Sequence, residues 1–273
     1  MADPAGLIDT RLRVLTWNLW WRFGPWETRQ PAILATVRRV DADVIALQET
    51  WDDDEPPSQV RRLADELGYE YAYGTGFHGM AETFGNTILS RWPIVGTETE
   101  PLPTLPGFDE MRVVLRADID GPRGRFDVYS THLNWRLDQS HIRQLQVRGI
   151  CDFVATRSPD HVIPPVLCGD FNAEPDSDEI RMLTGKMAVP VEKLVFLDAW
   201  IAGGDGGPGA TWSNANPFAV EGLEPDRRID YVFVGYPRER GAGQVVSARV
   251  EGVEPVNGVH PSDHYGLFAE LRY

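Results

Sequence analysis

Apolar positions along the chain follow two periods, and the points where one gives way to the other mark its elements. Alternation in Arg11-Leu12-Arg13-Val14-Leu15-Thr16-Trp17-Asn18 predicts a strand that stops on an amide. The run Asp43-Val44-Ile45-Ala46-Leu47-Gln48-Glu49 predicts a buried strand ending in a carboxylate. In Pro164-Pro165-Val166-Leu167-Cys168-Gly169-Asp170-Phe171-Asn172 an apolar strand meets a glycine expected to turn the backbone sharply, so that Asp170 and Asn172 emerge together. Further strands are predicted over 69–73, 86–90, 94–99, 228–234, 244–250 and 266–271, with a hairpin joining 111–119 to 125–130 around Asp120-Gly121-Pro122-Arg123-Gly124. Helical spacing over 27–40 places Ile33, Leu34, Val37 and Val40 on one face. Helices are likewise predicted over 59–67, 140–156 and 177–183, the last capped by Ser177, and a helical turn over 194–200. Strands outnumber helices and arrive partly as hairpins, which predicts a mixed-sheet α/β sandwich rather than a purely parallel doubly wound fold.

The connecting segments add less. Leu19 to Trp26 is a loop carrying Trp20, Trp21, Phe23 and Trp26, read as a plug at the end of the core in preference to a pocket wall. Gly74 to Gly85 is expected to be a flexible loop, and Gly203 to Gly209 a connector that lacks the Gly-Lys-Ser ending of a phosphate-binding loop. Cys151 and Cys168 sit in apolar company and are expected to be packed thiols. Residues 1–10 show no basic-then-apolar leader and no apolar run is long enough to span a membrane, so a soluble, cytoplasmic monomer is expected. A formal charge of −15 speaks against a broad electrostatic grip on nucleic acid, and the pairs Arg38-Arg39 and Arg61-Arg62 read as solvated helix faces.

The polar residues at element ends form a set: Asn18, Glu49, His132, Asp170, Asn172, Asp230, Asp263 and His264. Carboxylates gathered in one pocket repel one another unless protonated or neutralised, and a bound cation is the usual remedy. Oxygen ligands favour Mg²⁺ or Mn²⁺, and no Cys/His spacing for zinc is present. A hard cation with two histidines and amide donors suits attack of water on phosphorus. Taken singly, Glu49 reads equally as a capping acid, Asp230 as a partner for Arg227 or Arg228, and His132 as an edge histidine.

The order Trp17-Asn18, Leu47-Gln48-Glu49-Thr50, Asn86 to Ser90 with Pro93-Ile94, Ser130-Thr131-His132-Leu133, Gly169-Asp170-Phe171-Asn172, Arg228-Ile229-Asp230-Tyr231 and Ser262-Asp263-His264 resembles the endonuclease/exonuclease/phosphatase superfamily. That superfamily includes deoxyribonucleases, apurinic-site endonucleases, neutral sphingomyelinases, inositol polyphosphate 5-phosphatases and deadenylases. The resemblance implies a four-layer α/β sandwich, two mixed β-sheets packed face to face with helices outside, as a single domain over 1–273 with its core at about 11–272. It implies metal ligation by Glu49, Asn18 and Asp263, with Mg²⁺ or Mn²⁺ as cofactor. His132, Asp170, Asn172, Asp230 and His264 become the catalytic set: Asp170 to orient or deprotonate water, Asn172 to donate to the scissile phosphate, His264 braced by Asp230, and His132 as a second phosphate-facing histidine. The base is left open between Asp170 and the His264–Asp230 pair. Asn172 and His132 also count as substrate-binding residues, together with Asn86, which stands where deoxyribonucleases carry an acid and is expected to hydrogen-bond His132. Trp20 stands where the apurinic-site branch has an acid, which speaks against that branch. The expected activity is metal-dependent hydrolysis of a phosphodiester or phosphomonoester, with a small or lipid-like ester favoured. A DNA or RNA nuclease is the alternative, and a non-catalytic phosphate-binding scaffold a remote one.

Overall fold

Among the described residues the strands pair into two six-stranded mixed sheets, and the reason is visible in what each strand buries. The computed structural model describes residues 6–53, 58–76, 84–108, 110–157 and 161–273. The first part of the chain forms β1 (Arg11–Asn18), α1 (Trp26–Val40), β2 (Val44–Thr50), α2 (Gln59–Leu67), β3 (Glu70–Gly74) and β4 (Gly85–Ser90). There follow β5 (Ile94–Pro101), β6 (Val113–Gly121), β7 (Gly124–His132), α3 (Ser140–Ala155), β8 (Val166–Asp170) and α4 (Asp178–Leu183). The chain ends with β9 (Phe196–Asp198), α5 (Ala199–Gly203), β10 (Asp230–Gly235), β11 (Val245–Glu251) and β12 (Gly266–Arg272). Sheet order is β11-β12-β1-β2-β4-β3 in one sheet and β5-β6-β7-β8-β10-β9 in the other.

Both faces of each sheet are apolar, so each must be covered twice. Leu12, Val14, Val44, Ala46 and Ile88 of the first sheet meet Ile119, Val128, Val166, Val232 and Val234 of the second in a layer between the sheets. The alternate residues Leu15, Trp17, Ile45 and Leu47 pack outward on Ile33, Val37 and Leu63 of α1 and α2. On the far side Tyr129, Leu167, Tyr231 and Phe233 pack on Val147, Ile150, Phe153 and Leu183 of α3 and α4. This is the four-layer sandwich expected. At about 1.5–3 kcal/mol per fully buried large aliphatic side chain, the layer between the sheets readily offsets a few kcal/mol of charge crowding at its end. Among the described residues no helix is long and apolar enough to cross a membrane.

Three local expectations change. Gly169 makes no turn: it lies within β8 opposite Thr131 of β7, and a Cβ there would stand 2.2 Å from the Thr131 carbonyl oxygen. The reversal comes at Asn172, at φ 50°. Residues 194–200 are not one helical turn, because Phe196–Asp198 pairs with β10 and the Asp198 side chain then caps α5 by accepting from the Trp200 and Ile201 N–H groups. Ser177 occupies the cap position of α4, but its side chain makes no capping bond; its carbonyl accepts from Ile180 and Arg181 instead. Cys151 and Cys168 are buried free thiols, as packing predicts. The loop expected from Gly74 to Gly85 lies largely outside the described residues.

Candidate active site

The alternation that builds the layer between the sheets also delivers the polar set. Inward positions on β1 run Leu12, Val14, Thr16, Asn18; on β7, Phe126, Val128, Ser130, His132; on β8, Val166, Cys168, Asp170. β1 runs parallel to β2 and β7 parallel to β8, so their carboxyl ends coincide. β10 is antiparallel to β8, which sets its first residue, Asp230, directly opposite Asp170. His132 is opposite Asp170 on the other side. Thus one period-two pattern carries Asn18, His132, Asp170 and Asp230 to a single end of the sandwich.

Glu49 needs a different device. Gln48 faces inward and donates to Ser130 Oγ of the opposite sheet at 3.1 Å, so regular alternation would aim Glu49 at the helix layer. The register of β2 against β4 shifts between Leu47 and Thr50, and Glu49 sits at φ 53° in this bulge. The bulge turns its carboxylate to the strand ends, where Asn18 Nδ2 donates to Glu49 Oε1 at 3.1 Å and to Asp170 Oδ2 at 2.9 Å. Asp263 and His264 arrive on the loop before β12, held by Ser262 Oγ donating to the Asn18 carbonyl at 2.7 Å and by Asn216 Nδ2 donating to the Ser262 and Asp263 carbonyls.

The electrostatics of this cluster follow from burial. His264 Nδ1 lies 3.0 Å from Asp230 Oδ2, and its Nε2 lies 3.8 Å from Asp170 Oδ2. Desolvation opposes charge on His264, but Asp230, Asp170 and Asp263 outweigh it and hold the imidazole protonated well above its ordinary range. His132 is the opposite case, pushed well below its ordinary value by burial and then by Arg112 and His264. Its Nε2 is 3.5 Å from Asp170 Oδ2 and its Nδ1 3.9 Å from Glu49 Oε1. Asp170 accepts from the Asn172 backbone N–H at 2.9 Å, yet burial and Asp230 raise it to about 6. Burial and Asp263 raise Glu49 to about 7, and Asp263 itself is raised by burial.

These residues fit a divalent cation. Glu49 Oε2 is buried and accepts no hydrogen bond, and burial, with Asp263 nearby, raises the Glu49 carboxyl to about 7, a cost that a bound cation would relieve. Asn18 turns its nitrogen to Glu49 and Asp170 while its oxygen accepts the Trp20 N–H at 2.9 Å, which fixes the amide and orients Glu49. Asn172 lines the cleft, with Nδ2 donating to the Leu133 carbonyl at 3.1 Å. Asn86 makes no bond to His132. It is buried, donates to the Val113 and Ser130 carbonyls at 3.2 and 3.5 Å, and is absent from the cleft wall.

The cluster floors a cleft of about 690 Å³ whose walls include Trp20, Trp21, Phe23, Phe84, Trp135 and Trp212. The aromatic loop after β1 is therefore wall rather than plug, with Trp26 alone turned away to pack on Trp51. Arg29 fixes this loop: its guanidinium donates to the carbonyls of Leu19, Trp20, Trp21, Phe23 and Pro261, tying the wall to the segment that carries Asp263. Sequence reasoning missed Arg112, Trp135, Trp212, Glu224 and Arg227, which also line the cleft. For Arg112 and Trp135 the available signal was position, since they flank β6 and β7 at the ends that meet the cluster. Arg228 pairs with Asp198 at 2.8 Å and leaves Asp230 to His264.

Comparison with known proteins agrees with this geometry. The chain is 30% identical over 183 residues to Protein angel of Drosophila melanogaster, covering 60% of this chain and 48% of that protein. It is 30% identical over 163 residues to Protein angel homolog 2 of Homo sapiens, covering 56% of this chain and 30% of the relative. The chain thus spans less than half the length of these relatives. The crystal structure of an endonuclease/exonuclease/phosphatase from Beutenbergia cavernae superposes with a TM-score of 0.74 at 28% identity, over 96% of this chain and 71% of the other. D. rerio TDP2 complexed with a single-strand DNA product superposes with a TM-score of 0.74 at 19% identity, over 97% of this chain and all (100%) of the other, a likeness of fold. The family model described as Endonuclease/Exonuclease/phosphatase matches residues 15–264, a span that runs through every strand end contributing to the cleft. The chain belongs to the endonuclease/exonuclease/phosphatase family, whose members are metal-dependent hydrolases of phosphoric esters.

Proposed function

We propose that this chain hydrolyses a small or lipid-like phosphoric ester by in-line attack of water, with Mg²⁺ or Mn²⁺ as cofactor. The observation that carries the reading is the meeting of Glu49, His132, Asp170, Asp263 and His264 in the floor of one cleft. Glu49 and Asp263 would hold the cation, with Asn18 positioning Glu49. When bound, the cation polarises the phosphoryl oxygens and offsets charge that develops on them.

Asp170 is the better base. It is ionised at neutral pH with its pKa raised to about 6, close to the working range of a proton acceptor, and two donors fix its carboxylate. His264, kept protonated by Asp230, presents a charged donor to a phosphoryl oxygen rather than an empty lone pair. His132, kept neutral by burial, hydrogen-bonds the ester without adding charge. Asn172 supplies a further amide donor. Both sheets are needed for this set, which supports taking 1–273 as one domain.

The substrate class rests on the walls. Aromatic rings dominate them, and the arginines present, Arg112 and Arg227, are each paired with a glutamate. Together with a net charge of −15, this suits an ester with one scissile phosphate and an apolar or flat remainder better than a long polyanion. A metal-supplemented screen across sphingomyelin-like lipids, nucleotides, inositol phosphates and nucleic acids tests it. Preferential turnover of nucleic acid would overturn the substrate class, and absence of turnover with either metal would overturn the reading.

A further inference from the structure

A row of three residues climbs one wall of the cleft. Trp212 forms antiparallel bridges with His264 on one side and Arg227 on the other, and directly opposed residues project to the same face. The Trp212 ring meets the His264 imidazole at 5.0 Å between centroids, and Trp212 and Arg227 exchange backbone hydrogen bonds of 2.9 and 2.8 Å. All three residues line the cleft.

The outer two carry unused donors. Arg227 is 7% exposed, and its Nη2 is paired with Glu224, but its Nε is buried without a partner. The indole Nε1 of Trp212 is likewise buried and unpartnered. Other arginines nearby are better satisfied. Glu110 takes both Nε and Nη2 of Arg112, at 3.2 and 2.9 Å. Arg228 also has a buried Nε without a partner, but it pairs with Asp198, lies over the Tyr231 ring at 4.7 Å and does not line the cleft. What sets this pair apart is that Trp212 and Arg227 are bridge partners that both line the cleft, so a ligand in the cleft is the simplest account of their two unpaired N–H groups.

We propose that Trp212 and Arg227 form a second anion site, which receives a carboxylate or phosphate oxygen of the substrate about 10 Å from the phosphate at His264, two strand spacings away. The proposal rests on the phosphoesterase reading and adds that the substrate carries a second anionic group. Glu224 holds the guanidinium while the site is empty, and the incoming anion accepts from Arg227 Nε and Trp212 Nε1 beside it.

Titration calorimetry on the full chain with Mg²⁺ tests this with three non-hydrolysable ligands of equal length: hexylphosphonate, 6-phosphonohexanoate and hexane-1,6-diphosphonate. The expected result is binding of 6-phosphonohexanoate about tenfold tighter than hexylphosphonate, the scale of one added charge-assisted contact. A still larger gain with the diphosphonate would identify phosphate as the preferred second group, and a smaller one carboxylate. Arg227→Gln should erase the difference between the ligands. Trp212→Phe, which keeps the ring and removes one donor, should reduce it by about twofold to tenfold. Equal affinity of the wild type for hexylphosphonate and both dianionic ligands would overturn the second site alone, as would a difference that survives Arg227→Gln. If none of the three binds the metal-loaded protein, the phosphoesterase reading fails and the second site falls with it.

Discussion

Protonating or removing the Glu49 carboxylate should strip the protein of its affinity for divalent cations. Burial and Asp263 raise this carboxyl from 4.5 to about 7, and its side chain is 14% exposed on the cleft side. Two pH units below that value about 1% of it is ionised, and one unit above about 90%, so apparent Mg²⁺ affinity should rise roughly 90-fold between about pH 5 and about pH 8. At about 1.4 kcal/mol per tenfold, that is about 3 kcal/mol of metal-linked stabilisation. In the metal-free protein the sign is reversed. The folded value lies above the unfolded one, so the stability that protonated Glu49 contributes is complete below 4.5 and lost as pH rises through about 7. The shift corresponds to about 3 kcal/mol. Thermal unfolding with and without excess MgCl₂ across this range measures both effects. Asp170 titrates in the same window, with its value raised to about 6, so Glu49→Gln is the discriminating variant. A metal-induced rise in Tm equal at both ends of the range, or retained in Glu49→Gln, would refute the assignment.

Three further outcomes follow from contacts described above. Asp230→Asn removes the acid opposite His264 Nδ1, so the imidazole should titrate at lower pH than in the wild type, read directly by histidine NMR. Gly169→Ala places a methyl 2.2 Å from the Thr131 carbonyl oxygen, and denaturant unfolding should show a loss of about 1–3 kcal/mol or more as β7 and β8 separate. Arg29→Met leaves the carbonyls of Leu19, Trp20, Trp21, Phe23 and Pro261 without their donor, and about 1–3 kcal/mol of stability or more should go with it in the same assay.

Much of this site is legible in the chain because strand alternation and function share one period. Leu12, Val14 and Thr16 point inward, so Asn18 does too; Val166 and Cys168 do the same for Asp170. Glu49 was legible as a residue but not as a direction, since its aim depends on a bulge against β4 that nothing in Leu47-Gln48-Glu49-Thr50 announces. Ring content in the aromatic loop says nothing of orientation, so a plug and a wall look alike in the chain until Arg29 of α1 fixes which it is. No strand pattern marks Trp212 and Arg227 as wall residues, because isolated bridges set Trp212 beside His264 and Arg227 beside Trp212. Residues 194–200 misled through apolar spacing too short to separate an edge strand from a helical turn.

The initial rate of bis-p-nitrophenyl phosphate hydrolysis in Mg²⁺, wild type against Asp170→Asn, tests the central claim most directly. The proposed site predicts metal-dependent turnover that falls by about 10²–10⁴ when the base is lost. An Asp170→Asn enzyme working at the wild-type rate would contradict it.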